Sequence, residues 1–388
     1  MTTALAGGAV YVGPNERIDD GVVLLHGETI AAVGTRPEVQ IPPDTNITDC
    51  AGMTVTAGFW NSHVHFFERK WRDAANAPAE ELTRQLRETL TRYGFTTVFD
   101  LSSQWENTRA LRDRIASGEV TGPRILTTGE GLIPPGSLPS EQVLMVMGVT
   151  PTPLPEVADA TQAAEAARRT LDAGADGIKV FASPPRLPAV AEEIIRAAAD
   201  VAHEFGKPMF MHANSAADVI AALRGGVDVL AHTTPHSGRW DETIPALIQN
   251  RALTPTLTLW RYYLRHDRIS VQEQVVRTAI EQLRVWRAHG GTILFGTDLG
   301  AVDPDPAEEY SLMAEAGMDF REILASLTTA PAAQFGMSNE YGRVAAGMRA
   351  DLVVLQGEDL SKVRSTIRGG AVIYESPDAI LRSRRRSV

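Results

Sequence analysis

Across residues 55–298 the chain alternates short apolar, β-branched segments with amphipathic helical patterns, and this alternation limits the fold more than any other feature. Segments of strand character fall at 55–60, 95–100, 124–128, 176–181, 208–212, 227–232, 252–258 and 292–298. Helical periodicity fills the intervals. One helix is expected over 159–172, with Asp159 as its N-cap, and another over 189–205, ended by Gly206-Lys-Pro208. Eight strands with crossover helices over about 280 residues predict a (β/α)8 barrel of TIM type rather than a doubly wound sheet. No glycine-rich dinucleotide fingerprint follows the first strand, which weakens the alternative further.

The two ends of the chain follow another pattern. Residues 22–25 and 29–33, joined by a turn at His26-Gly-Glu28, predict a hairpin closed by Gly34. Near the C-terminus, 351–355 and 363–374 are strand-like, the second broken at Gly369-Gly370. Two β-rich ends around an α/β middle predict a small β-sandwich domain composed of residues 1–56 and 338–388, with the barrel over 57–337. The connection 129–155 is unusually long and carries the apolar run 143–147. Placed after the third strand, it is expected to overhang the barrel mouth as a lid or pocket wall.

Composition narrows the function. A hydrophobic share of 44% with 22% charged residues fits a globular protein with a full core. The net charge of −11 argues against nucleic acid or an anionic membrane as partner, and Arg382-Ser-Arg-Arg-Arg386 reads as a solvated terminus. Cys50 is the sole cysteine, so one chain can form neither a disulfide nor a thiolate metal cluster. The N-terminus lacks a basic region followed by an apolar one, and no apolar run approaches the roughly 20 residues of a membrane span. The expectation is a cytoplasmic enzyme acting on a small molecule; a homo-oligomer stays open.

Barrel enzymes place their active sites at the C-terminal ends of the strands. His63 and His65 end the first segment, two residues apart and therefore on one face. Lys179 lies in the fourth where an apolar residue would be expected, His212 ends the fifth, His232 the sixth and Asp298 the eighth. Singly, each has a dull explanation: a snorkelling lysine, a hydrogen-bonded core histidine, a helix-capping aspartate. Six of them converging on one mouth do not. Imidazole and carboxylate hold Zn²⁺ or a similar ion while leaving a position open for water, whose pKa the metal lowers.

These residues lie in Gly58-Phe-Trp-Asn-Ser-His-Val-His65, Gly174-Ala-Asp-Gly-Ile-Lys179, Met211-His-Ala213, Asp228-Val-Leu-Ala-His232 and Phe295-Gly-Thr-Asp298. With the strand signature 342–354, they resemble the amidohydrolase superfamily, in its branch of imidazolonepropionase-like and Xaa-Pro dipeptidase-like members. The resemblance implies two divalent metals, Zn²⁺ above all, with Mn²⁺, Co²⁺ or Fe²⁺ as alternatives. It assigns His63, His65 and Asp298 to one metal and His212 and His232 to the other. A carbamate formed from CO₂ on Lys179 would bridge them. A hydroxide held by the metals would attack a carbonyl, Asp298 would carry its proton to the leaving group, and His232 or a metal would stabilise the oxyanion.

Two departures from the family pattern carry meaning. Asn61 stands where many members have an aspartate two residues before the first histidine, and can orient a ligand by hydrogen bonding without the charge. His212 is followed by Ala-Asn-Ser215 and not by the glutamate, three residues on, of the family's deaminases. Together with Lys179, that favours a binuclear hydrolase over a mononuclear deaminase. Substrate contacts are expected from loops after the strands: Phe66 beside the first pair, Phe67 next to it, His236, Trp260, Tyr262 and the stretch 303–309. Arg69, Lys70 and Arg72 could meet a substrate carboxylate, although a solvated helix face accounts for them better. The reaction implied is cleavage of an amide C–N bond in an N-acyl amino acid, dipeptide or cyclic amide. A lactonase, esterase or phosphotriesterase would use the same ligands, and a non-catalytic metal-binding protein is the remaining alternative.

Overall fold

The computed structural model describes residues 2–137, 154–183, 189–240, 242–300, 302 and 305–377, with the backbone of 383–384. The chain opens with β1 (Thr2–Gly13), β2 (Glu16–His26), β3 (Thr29–Thr35), β4 (Asn46–Asp49) and β5 (Met53–Ala57). Eight strands follow: β6 (Phe59–Val64), β7 (Phe95–Asp100), β8 (Arg124–Thr127), β9 (Ile178–Phe181), β10 (Met209–His212), β11 (Val229–Ala231), β12 (Ala252–Thr254) and β13 (Thr292–Ile293). The chain then returns to strand structure in β14 (Leu352–Gln356), β15 (Val363–Arg368), β16 (Ala371–Glu375) and β17 (Ser383–Arg384).

Both ends of the chain build one nine-stranded sheet. Its order is β16-β15-β14-β5-β1-β2-β3, with β4 beside β1 and β17. The C-terminal strands enter it because β14 pairs antiparallel with β5 across five residues. Leu5, Val10, Val23, Leu25, Val55, Leu352, Val354 and Ile367 bury a shared apolar cluster, which ties the two ends together. The hairpin read over 22–33 is present as β2 and β3, turning at the left-handed Gly27.

The middle strands are parallel throughout. They form a three-stranded sheet, β6-β7-β8, and a five-stranded one, β13-β12-β11-β10-β9. Backbone hydrogen bonds join the sheets on both sides. Leu132 N–H donates to Lys179 O at 2.8 Å and Phe181 N–H to Leu132 O at 2.9 Å. On the other side, Ser62 N–H donates to Phe295 O at 2.7 Å and Asp298 N–H to His63 O at 2.9 Å. Helices lie between the strands, among them Ala160–Asp172, where the Asp159 carboxylate accepts the N–H of Gln162 as expected. The second helix begins at Glu192, three residues later than its periodicity suggested, and ends at Glu204.

The segment read as one strand over 55–60 divides at Gly58. Residues before it pair with β14, whereas those after it pair with β7, and a Cβ at Gly58 would lie 2.2 Å from Thr96 Oγ1. Since Thr96 is buried, the methyl of Gly58→Ala must displace packed structure. A loss of about 1–3 kcal/mol is expected, read as a lower urea midpoint at unchanged slope. A wild-type midpoint would contradict this close approach. The segments read as 252–258 and 292–298 also leave the sheet early, after Thr254 and Ile293. The apolar run 143–147, expected to form a lid, lies outside the described residues.

Candidate metal centre

His63 and His65 lie on one face of β6 and its continuation, and their side chains meet the carboxylate of Asp298. His63 Nε2 is 3.3 Å from His65 Nε2. Asp298 Oδ1 completes the triangle at 3.3 Å from His63 Nε2 and 2.9 Å from His65 Nε2. Four-coordinate zinc with bonds near 2.0–2.1 Å separates neighbouring ligand atoms by about 3.3 Å, so the spacing suits three protein ligands around one ion. All three residues are buried, and Asp298 Oδ1 and both Nδ1 atoms have no hydrogen-bond partner among the described residues. A carboxylate oxygen and two imidazole Nε2 atoms converging this closely are costly without a cation between them.

The remaining ligand candidates surround this triangle. The His232 ring stacks on His63 with centroids 4.6 Å apart, and its Nε2 is 3.7 Å from Asp298 Oδ2. The His212 ring meets His232 edge-on at 5.0 Å. Its Nε2 lies 2.9 Å from Asn214 Oδ1, which leaves Nδ1 as the nitrogen available to a metal. Lys179 Nζ is buried without a hydrogen-bond partner among the described residues, 5.1 Å from the centroid of Phe181. An unpaired ammonium so enclosed would cost several kcal/mol. Strand alternation brings Lys179 to this point, with the apolar Ile178 and Val180 on either side of it in β9.

Electrostatics favour ligation. Burial pushes the His63 and His232 imidazoles well below the ordinary histidine range, only partly opposed by Asp298. Burial also takes His212 down to about 4. Burial thus favours the neutral ring of each, the form with a lone pair to offer. Burial brings the Lys179 amine down to about 7, again against the pull of Asp298. For Asp298 burial alone would raise the pKa, but His63, His65 and His232 outweigh it and hold the carboxyl well below its usual range. His232, Thr256 and Asp298 all have positive φ, at 93°, 43° and 58°. Such strain costs about 1–3 kcal/mol per residue and clusters at functional sites.

The sequence profile of the amidohydrolase family matches residues 54–374, which takes in every strand that carries these groups. The chain belongs to the amidohydrolase family. Members of that family are metal-dependent hydrolases, in keeping with the donor set just described. An adenine deaminase from Rubrobacter xylanophilus is 25% identical over 394 residues, covering 95% of this chain. This chain spans only 56% of that relative's length. A Xaa-Pro dipeptidase crystallised with methionine in its active site superposes with a TM-score of 0.82 at 23% identity, covering 97% of this chain and 100% of that one. A prolidase in complex with N-methylphosphonate-L-proline gives a TM-score of 0.77 at 25% identity, with the same coverages.

In this amidohydrolase Asn61 works through the backbone. Its Oδ1 accepts the N–H groups of His63 and Thr297, each at 3.2 Å, and its Nδ2 donates to Thr297 Oγ1 at 2.8 Å. Asn61 thereby ties the strand of His63 to the residue before Asp298. Gly296 allows these strands to approach, since a Cβ there would lie 2.8 Å from His63 Cβ.

The expected substrate contacts are only partly placed at the site. Trp260 meets the rings of His232 and His236, at 6.4 and 5.4 Å. His236 is exposed on a short 3-10 turn, Pro235–Ser237. Tyr262 packs with Leu259 and Val302, under the Arg265 guanidinium. Phe66 is a correction. It is buried in the core edge-on to Trp71, and Phe67 is the ring that touches His65, with centroids 4.8 Å apart. Period-two alternation is the reason, because Phe67 shares the face of His65 and Phe66 the opposite one. Lys70 pairs with Glu68 at 2.8 Å, and Arg69 and Arg72 are exposed, as expected for a solvated face. Of the stretch 303–309, Asp303 and Pro304 lie outside the described residues.

Sequence reasoning missed two groups. Thr256 Oγ1 lies 2.5 Å from His232 Nδ1, and Asn214 pairs with His212 while donating from Nδ2 to Ser183 O at 2.9 Å. Only the short polar residue two positions after His212 hinted at either.

Proposed function

We propose that this protein is a binuclear metal-dependent amidohydrolase that cleaves the amide C–N bond of a small molecule such as an N-acyl amino acid, a dipeptide or a cyclic amide. The triangle of His63, His65 and Asp298, with Lys179, His212 and His232 beside it, is the observation that carries the reading. Two divalent ions would be held by His63, His65 and Asp298 on one side and by His212 and His232 on the other, with carboxylated Lys179 between them. Zn²⁺ suits the donors best. When bound, such ions supply Lewis acidity for a carbonyl oxygen and make water more acidic.

The chain's own residues supply the rest. Asp298, held anionic, accepts a proton from the attacking water and returns it to the leaving nitrogen. His232 has Nδ1 against Thr256 and Nε2 towards Asp298, so no N–H is left to donate to an oxyanion; its role is to hold metal. Phe67, Trp260 and His236 form the aromatic rim against which a substrate would lie. The two parallel sheets are read as halves of one closed (β/α)8 barrel over 57–337. Residues 1–56 and 338–388 are read as the composite β-sandwich domain.

The deaminase relative gives a specific rival, hydrolysis at a purine amino group. The sequence Ala-Asn-Ser215 after His212 lacks the acid that would protonate the ring. Turnover of N-acyl amino acids, Xaa-Pro dipeptides, cyclic amides, lactones, phosphotriesters and adenine decides among these readings. Amide turnover that disappears on chelation and returns with Zn²⁺ is expected. Adenine turnover without amide turnover would overturn the proposal.

A further inference from the structure

Glu309 belongs to the helix Ala307–Glu315, after β13, yet its carboxylate is buried beneath the neighbouring helix Leu257–Tyr263. Oε1 accepts the N–H of Leu257 at 2.9 Å. Oε2 accepts both the N–H and the hydroxyl of Thr258, each at 2.8 Å. These are the amide groups that open a seven-residue helix, and an N-cap residue ordinarily satisfies one of them. Here the N-cap is Thr256, whose φ of 43° and ψ of 54° are left-handed and whose side chain makes no capping bond. A β-branched residue rarely holds that conformation. Its hydroxyl is thereby free to face Nδ1 of His232 at 2.5 Å.

We infer that Glu309 is a positioning residue for His232: by capping the helix from outside, it frees Thr256 to hold the imidazole with its proton on Nδ1 and its lone pair on Nε2. This rests on the reading of His232 as a metal ligand. A hydrogen bond of this type fixes tautomer and ring orientation, and its loss commonly weakens metal binding about 10–100-fold. The same clamp orients Trp260, whose indole N–H donates to Thr233 Oγ1 at 2.8 Å. The contact therefore joins the loop ends of the last two middle strands.

The test uses the full-length chain, with histidine ¹⁵N shifts of the metal-free protein reporting the His232 tautomer and Co²⁺ titration against a competing chelator reporting affinity. Wild type is expected to carry the proton on Nδ1. Glu309→Gln offers a single acceptor oxygen, and Thr256→Val removes the hydroxyl. Each is expected to move the proton towards Nε2 and to weaken Co²⁺ binding by about tenfold or more. Thr256→Ser should behave as wild type. The double variant should lose little beyond either single one, because both act through one contact. If Glu309→Gln does not fold, Thr258→Val removes one of the three bonds and is expected to shift the tautomer in the same direction. A wild-type tautomer and affinity in Glu309→Gln, or losses that add in the double variant, would overturn the inference. Wild type that binds no Co²⁺ would instead refute the metal-centre reading, and the tautomer comparison would still decide the role of Glu309.

Discussion

Lys179→Ala is expected to leave the purified protein with little bound metal and to abolish amide turnover, with short carboxylic acids such as formate or acetate restoring part of both. Lys179 is one of the largest fully buried side chains, and its Nζ has no hydrogen-bond partner among the described residues. As a simple ammonium it would add positive charge to a pocket of neutral imidazoles and weaken any cation there. As a carbamate it becomes an anion with two oxygens, the donor type that divalent ions prefer. Removing a bridging anion takes a ligand from both metals at once, so the expected loss in affinity is at least about 100-fold, well beyond the cost of an outer contact. A small carboxylate can enter the cavity left by the side chain and replace those oxygens. Full metal occupancy in Lys179→Ala would refute the bridging role.

The second large effect is expected at Asp298. Asp298→Asn keeps the shape and one oxygen next to His63 and His65 but removes the basic carboxylate. General acid–base catalysis by a placed group contributes about 10²–10⁴-fold, so kcat should fall by roughly that factor while KM changes little. Because Asp298 is also a ligand, metal binding should weaken, so kcat is compared at saturating Zn²⁺, where the histidines and Lys179 still hold the metal. A fall in kcat without metal loss separates proton transfer from ligation. Activity within a factor of about 3 of wild type, with metal present, would remove Asp298 from the proton path.

Much of the middle of the molecule was legible. The strand read over 95–100 is β7 at both ends, and the cap at Asp159 forms as expected. His63 and His65 could be paired from their spacing alone, because alternation acts locally. The same rule separates Phe67 from Phe66, and it had to be carried three residues beyond the strand to do so. Other features depend on contacts that no local pattern records. Thr256 fell inside a segment read as strand, and a left-handed threonine leaves no sequence signal. Glu309 grips residues 51 and 52 positions earlier in the chain. The 12 residues of β1 were legible only as β-rich sequence, since Gly7-Gly8 interrupts the usual alternation and its register slips there. Substrate choice depends on mouth loops, where shape rather than residue type decides.

The central claim is that six side chains carried by the middle strands and the residues just after them hold two metals, and anomalous diffraction from crystals of the Zn²⁺-loaded full-length protein tests it most directly. The account predicts two zinc peaks, one bounded by His63, His65 and Asp298 and the other by His212 and His232, with continuous density from Lys179 reaching both. A single peak with a bare Lys179 side chain, or zinc bound away from these residues, would contradict it.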